Sequence, residues 1–236
     1  MVNGQMYQDF IAAIILGRDG FFVDIGAGWG GGNKPPVRYL SNTFMLEQEG
    51  GWNGIAIDYD EEYCAKASEA RSCNLLCVDL MKENINDLLD NAGCPKVIDY
   101  LSLDCDDAQD KVFNEFDWDN RKCKFMTIEH NLYYEVGPKR SPFEKSRKEA
   151  IKFHRESRER FKSAGYKMLS SNVSIETFGP VEDWYVHPDF LEEDKYSWLD
   201  NTEDLYLTEL RVLAMKQRDV LAMQIRERME KKQGAK

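Results

Sequence analysis

The chain has 236 residues, with 42 Asp and Glu against 31 Lys and Arg, a formal net charge of -11 and 42% hydrophobic residues. That is enough for one α/β domain with a sizeable core plus an appendage, and too little for two full domains. The acidic balance speaks against general affinity for nucleic acid or anionic membrane, and no apolar run approaches the ~20 residues of a membrane span. Ile11 to Leu16 is apolar but follows Asp9 rather than a basic stretch, so no secretory signal is expected and a cytoplasmic location is. Six cysteines, at 64, 73, 77, 94, 105 and 123, contain no C-x-x-C pair and are expected to be free, mostly buried thiols in a reducing cytosol.

In chain order, residues 6–16 read as a lead-in helix with Met6, Phe10, Ala13 and Ile14 on its apolar face, packed against the sheet edge or over a ligand. Residues 21–30, FFVDIGAGWG, follow. Phe21, Phe22, Val23 and Ile25 have the apolar density of a short buried strand, and Gly26, Gly28 and Gly30 remove side chains where the backbone must turn tightly and approach a ligand. Two interpretations of this loop stay open. Gly26, Gly28 and Gly31 supply the G-x-G-x-x-G of a dinucleotide site, which leads to an NAD-dependent oxidoreductase. Asp24 instead completes D-x-G-x-G-x-G, which resembles the first motif of the class I S-adenosylmethionine (SAM) methyltransferases. A carboxylate there accepts from loop amides or from the methionine ammonium, whereas it repels a pyrophosphate.

The segment GGNKPP (31–36) carries two prolines that block an immediate helix. A helix is expected over 37–49, with Val37, Leu40 and Phe44 on one face and Gly50 and Gly51 ending it. NGIAID (53–58) is the second strand and ends in an acid. Helices over 61–71, 84–91 and 107–116 alternate with strands over 74–80, 96–104 and 124–129. This alternation implies a mostly parallel, doubly wound, Rossmann-like sheet. Residues 146–164 form a strongly charged helix; between 139 and 167 eleven Lys or Arg accompany four Glu, read as a solvated face rather than an anion site. Strands over 166–175 and 181–186 form an antiparallel pair that closes the sheet. Residues 203–232 read as a long charged helix whose irregular stripe of Leu210, Ala214, Leu221, Ile225 and Met229 either wraps the domain or pairs two copies as a homodimer. Residues 1–200 are thus the expected domain and 201–236 a C-terminal helical extension.

Taken together, FFVDIGAGWG, SNTFMLEQEGGWNGIAID (41–58), IDYLSLDCDD (98–107), FMTIEHN (125–131) and EDWYVHP (182–188) resemble the FkbM-type methyltransferase family over roughly residues 20–190. The S-N-T-x-x-L-E block followed by G-W-x-G is the most specific part. The resemblance implies a class I methyltransferase fold with a seven-stranded sheet, SAM as cofactor, and methylation of a hydroxyl on a sugar, glycan or other small acceptor. GGNKPP and the long C-terminal helix depart from the family pattern and bear on the acceptor.

The cofactor would lie against Asp24, Gly26, Ala27 and Gly28. Asp58 would accept from both ribose hydroxyls, Asp79 from the adenine amine, Leu80 would give apolar contact, and Tyr59 would stack on adenine or cover the sheet. Asp104 ends the fourth strand and Glu129 and His130 the fifth, where open α/β sheets hold ligands. Strands ~4.8 Å apart would let the three converge. His130 would be the general base, or Asp104, Glu129 and His130 would hold a divalent cation such as Mg that polarises the acceptor hydroxyl; metal-independent transfer is the favoured alternative. Glu182, Asp183 and Trp184 border the acceptor. A non-catalytic SAM-binding module acting through the C-terminal helix is the competing class.

Overall fold

The computed structural model describes residues 4–28, 37, 40–138, 140–199, 202–203 and 205–234. Trp29, Gly30, Gly31 and the GGNKPP segment lie outside them, as do the side chains of Leu221, Ile225 and Met229. Strands β1 (Phe21–Ile25), β2 (Asn53–Asp58), β3 (Asn74–Cys77), β4 (Val97–Leu103), β5 (Lys122–Glu129), β6 (Lys167–Ile175), β7 (Gly179–Val186) and the two-residue β8 (Thr202–Glu203) form one sheet ordered β3-β2-β1-β4-β5-β7-β6-β8. β1 to β5 run parallel, and β7 runs antiparallel to both β5 and β6. The expected seven strands are present, and β8 adds a short parallel edge beside β6.

Successive side chains on a strand face opposite ways, so each strand divides its residues between two cores. Phe22, Tyr100, Phe125 and Trp184 pack on one face with Ile11 and Ile15 of α1 (Gln8–Leu16), Leu46 of α2 (Phe44–Gly50) and Leu210 of α8 (Leu207–Gly234). Val23, Ile57, Leu103 and Met126 pack on the other with Leu89 of α4 (Ile85–Asn91), Phe113 of α5 (Gln109–Glu115) and Phe153 and Phe161 of α7 (Glu144–Ser163). Each buried aliphatic or aromatic side chain contributes about 1.5–3 kcal/mol. A single turn, α6 (Tyr133–Val136), follows β5, and α3 (Glu61–Ala70) joins β2 to β3.

Several boundaries differ from expectation for local reasons. Tyr7 sits in the left-handed region, so α1 begins at Gln8, and its buried residues are Gln8, Asp9, Ile11, Ala12 and Ile15 rather than Phe10, Ala13 and Ile14. α2 begins at Phe44 instead of Val37 because Leu40 has φ of 56° and the Ser41 hydroxyl accepts from the backbone N–H of Phe44 at 3.1 Å. β3 stops at Cys77. The cysteines need a correction. Cys64 and Cys77 form a disulfide, and Cys73, Cys94, Cys105 and Cys123 are free. Cys64 and Cys77 lie 13 residues apart in the chain, but parallel pairing of β2 with β3 brings their Cα atoms to 5.9 Å. The first turns of α8 are core, since Leu210 and Ala214 are buried against the body.

The S-N-T-x-x-L-E block works as a buried clamp. Asn42 donates to Ser102 Oγ at 3.0 Å, Thr43 Oγ1 donates to Asp24 Oδ2 at 2.5 Å, and Leu46 enters the core. Glu47 receives Arg71 Nε at 3.0 Å together with the backbone N–H and hydroxyl of Ser72. Arg71 also donates to Thr43 Oγ1 at 2.7 Å, lies 4.0 Å from Asp24 and stands over the Phe22 ring. Removing one partner of a buried ion pair costs about 3–5 kcal/mol, because the other charge is left without compensation. Arg71→Met should therefore lower the urea-unfolding free energy by about that amount; a loss below about 1 kcal/mol would mean the clamp carries little of the stability.

Candidate active site

The polar ends of the parallel strands all fall on the face that α1 and α2 cover. Alternation puts Asp24, Asp58, Ser102, Asp104, Thr127 and Glu129 there, and the antiparallel register sets Glu182 beside Glu129. The crevice opens between β1 and β4, where the strand order reverses, the position at which open α/β sheets bind ligands.

The glycine loop is fixed by close approach. Gly26 has φ of 85°, and a Cβ there would fall 1.6 Å from the Asp104 carbonyl oxygen, so no larger residue fits. The amides of Gly26 and Ala27 both donate to the Ile57 carbonyl at 3.0 Å. Gly28 donates its amide to Asp58 Oδ2 at 2.7 Å, and a Cβ on it would meet that oxygen at 2.7 Å and the Tyr63 ring at 2.9 Å. Asp58 Oδ1 accepts from the Asp60 amide at 2.8 Å. Asp60 in turn caps α3 by accepting from the amides of Glu62 and Tyr63. Burial raises the Asp58 pKa above the usual carboxylate range, against the lowering effect of these amides. With the Tyr59 amide also acting on it, the carboxylate keeps about one of its roughly four acceptor positions for a ligand hydroxyl.

Other expected cofactor residues are disposed differently. The Asp24 carboxylate is taken by Thr43, Ser102 and Arg71 beneath the loop, and burial raises its pKa. Tyr59 is 73% exposed and does not cover the sheet. Asp79 turns into its own loop, accepting from the Met81 amide at 2.9 Å and pairing with Lys82 at 3.0 Å. Leu80 packs into the core on the α4 and α5 side of the sheet.

At the strand tips the structure brings Asp104 and Glu129 together and keeps His130 apart. Asp104 and Glu129 stand at the tips of the neighbouring strands β4 and β5, close enough for the charge of Asp104 to act on Glu129. Burial, then the charge and hydrogen bond of Asp104, push Glu129 well above the ordinary range. Glu129 Oε2 is buried without a hydrogen-bond partner. Glu182, next along the sheet, receives Trp184 Nε1 at 2.5 Å and Gln8 Nε2 at 3.3 Å, and burial raises its pKa to about 8. His130 is one residue further on and faces the opposite side. Its Nδ1 accepts from the Leu132 amide at 3.1 Å, its Nε2 lies 3.4 Å from Asp183 Oδ1, and its ring meets His154 of α7 edge-on.

The expected base and the expected metal set are therefore corrected. A histidine and a glutamate on consecutive residues at a strand end do not share a face, so Asp104, Glu129 and His130 do not converge. His130, His154 and Asp183 do lie within ligand distance of one another. Arg158 occupies that carboxylate, however, with Nε 2.6 Å from Oδ2 and Nη2 2.8 Å from Oδ1. Burial works against ionisation of Asp183, but His130 and Arg158 outweigh it and hold its pKa far below the usual range. A cation there would displace a guanidinium, so the trio fits a structural role. Gln8 and the Arg71–Glu47 pair escaped the sequence, and Glu182, expected beside the acceptor, stands next to Glu129 through the β5–β7 register.

No family model and no curated protein matches the chain. Among solved structures, an O-methyltransferase from Bacillus cereus in complex with S-adenosylhomocysteine (SAH) superposes with a TM-score of 0.52 at 12% identity, covering 78% of this chain and 81% of that one. A Klebsiella pneumoniae protein provisionally named an O-methyltransferase gives a TM-score of 0.52 at 10% identity, covering 78% and 80%. The chain has the class I methyltransferase fold. In that fold the strand order and register set Gly26, Asp58, Asp104, Glu129 and Glu182 at one end of the sheet, around the β1 and β4 switch point. Among the described residues no helix is long and apolar enough to cross a membrane.

Glu182 gives a pH test of this geometry. Its folded pKa of about 8 exceeds the reference 4.5, so the native state binds more protons than the unfolded chain between those values. Its contribution to stability is full below 4.5 and falls as pH rises to 8, by about 1.4 kcal/mol per unit of difference. Glu182→Gln keeps an acceptor for Trp184 without a charge. The melting temperature of the variant minus that of the wild type should climb from pH 5 to pH 8 and level off above; a flat difference would show that Glu182 titrates normally.

Proposed function

We propose that the chain is a SAM-dependent methyltransferase that transfers a methyl group to a hydroxyl of a sugar, glycan or other small acceptor, as an FkbM-type enzyme would. The observation that carries this is the glycine loop bonded through Gly28 to the acid at the β2 tip, in the fold of two neighbours named as O-methyltransferases, one of them with SAH. The residues present fit the cofactor: Gly26 and Gly28 let the loop lie against Asp104 and Asp58 at the strand tips, and Asp58 retains capacity for a ribose hydroxyl. Asp79 and Tyr59 would have to turn from their present positions to meet adenine. When bound, SAM supplies an electrophilic methyl group on a sulfonium.

The chain's own part is to orient and to move a proton. Glu129, beside Asp104 at the strand tips, would in its ionised form accept the hydroxyl proton of an acceptor seated over them. Tyr133 of α6 and Phe178 meet edge to face near this point and would border the acceptor. A divalent cation would find carboxylate oxygens in Asp104 and Glu129 but no help from His130, and no step here is assigned to one. The acidic crevice disfavours a nucleic-acid acceptor. Outward Val212, Met215, Val220 and Met223 on α8 support a homodimer, and a cytoplasmic location completes this reading.

Calorimetry should find SAM and SAH bound and NAD(H) not; binding of NAD(H) alone would replace this assignment with an oxidoreductase. Asp58→Ala should weaken SAH by about 1.5–3 kcal/mol, roughly ten- to a hundredfold. Glu129→Gln should leave SAH affinity intact and lower methyl transfer from labelled SAM by at least about a hundredfold. In the wild type, the rate should rise with pH above the ordinary carboxylate range, because Glu129 is raised. A His130→Gln rate loss matching that of Glu129→Gln would return the base to His130.

A further inference from the structure

The disulfide lies against the crevice rather than at a remote surface. Cys77, the last residue of β3, is the register partner of Asp58, and the next amide, Val78, donates to the Asp58 carbonyl at 2.8 Å. Cys64 Sγ lies 3.8 Å from that same carbonyl. Cys64 follows Tyr63, whose ring walls Gly28, and Asp60 begins the helix that carries both. The bridge therefore ties α3 to the β3 tip across the backbone of the residue whose carboxylate holds the glycine loop. Asp79 is two residues beyond Cys77. Cys77 is exposed while Cys64 is buried, so a reductant has one sulfur to attack. The four free thiols do not compete: Cys73, Cys94 and Cys123 are buried, and burial pushes Cys73 to about 12, Cys94 to about 11 and Cys105 well above the usual range.

We propose that Cys64–Cys77 is a redox modification site that couples the thiol state of the chain to its affinity for an adenosyl ligand, a proposal that rests on the adenosyl assignment above. A dithiol supplies the two electrons. Its first thiolate attacks Cys77 Sγ and forms a mixed disulfide as the S–S bond breaks and Cys64 leaves as thiolate. Its second thiolate closes a ring and releases Cys77. The dithiol is oxidised, and Cys64 and Cys77 end as two thiols after taking up two protons. Without the bridge, α3 and the β3 tip are no longer fixed to each other around Asp58, and ordering them falls to the ligand. Disulfides that form in reducing compartments are usually transient, catalytic or redox-sensing, in keeping with such a role. Because binding linkage is reciprocal, ligand must protect the bridge as much as the bridge favours ligand.

The test uses the full-length protein, air-oxidised and then treated with dithiothreitol. Iodoacetamide mass mapping without reductant should leave Cys64 and Cys77 unlabelled. Reduction should weaken SAH binding by about tenfold in calorimetry, within the usual range of coupling between sites. Saturating SAH should slow alkylation of both cysteines during reduction. Cys77→Ser should bind SAH like the reduced protein in either buffer; if that variant is insoluble, the wild-type affinities and labelling decide alone. Labelling of both cysteines in oxidised protein, or equal SAH affinity in both states, would overturn the redox proposal and leave the methyltransferase assignment standing. Absence of SAH binding in both states would overturn both.

Discussion

The hydrogen bond from the Gly28 amide to Asp58 Oδ2 ties the first strand's loop to the second strand's tip, and the geometry of the crevice depends on it. It forms only because Gly28 has no Cβ to collide with that oxygen, and because Gly26 lets the chain pass against the Asp104 carbonyl. Asp58 is in turn held by the Asp60 amide, while Asp60 caps α3. One carboxylate thus sets the loop, the helix that follows and the wall between them. Charge-assisted bonds of this kind are roughly twice as strong as neutral ones, which suits a joint that must stay rigid beside an exchangeable ligand.

Beneath the loop the sheet needs a second fixture, because the first strand carries an acid at a buried position. Asp24 would be costly to bury alone. Thr43, Ser102 and Arg71 offset that cost, and Arg71 is itself neutralised by Glu47. The S-N-T-x-x-L-E block is therefore the second half of a contact whose first half is the D-x-G motif. The two stretches are separated in sequence by the GGNKPP segment and meet across the sheet face. On the opposite face Asp183 plays a comparable part, joining β7 to α7 through Arg158 and to the end of β5 through His130.

Apolar density bounded by glycines and acids was sufficient to place most strands to within a residue or two, since β1, β2, β4 and β7 each bury apolar residues on two cores. It failed where long-range pairing decides. Leu80 reads as a ligand contact beside Asp79, but the chain turns at Asp79 and sends it into the core. Cys64 and Cys77 looked like separate thiols because neither spacing nor composition reveals that β2 and β3 align Cys77 with Asp58. His130 was expected to converge with Asp104 and Glu129 although the rule against it was at hand. Alternation at the end of β5 puts Glu129 and His130 on opposite faces, and only the weight given to a histidine's pKa obscured it. Where α2 begins depended on a positive φ at Leu40, which no local pattern announces.

The same alternation bears on which nucleotide the crevice suits. Asp58, Asp104, Asp106, Glu129 and Glu182 interact electrostatically with one another around it, each raising the pKa of neighbours. Arg71, the nearest buried cation described above, is spent on Asp24 and Glu47 underneath. A pyrophosphate entering this space would meet carboxylates of its own sign, an interaction of about 4 kcal/mol per pair at 4 Å in partly screened surroundings. A sulfonium would meet the same groups with the opposite sign and would favour their ionised form against the effect of burial. Ligand charge and the ionised fraction of these carboxyls would then be linked: a cation over the strand tips would lower their pKa, making the proton acceptor available as an anion while weakening it as a base.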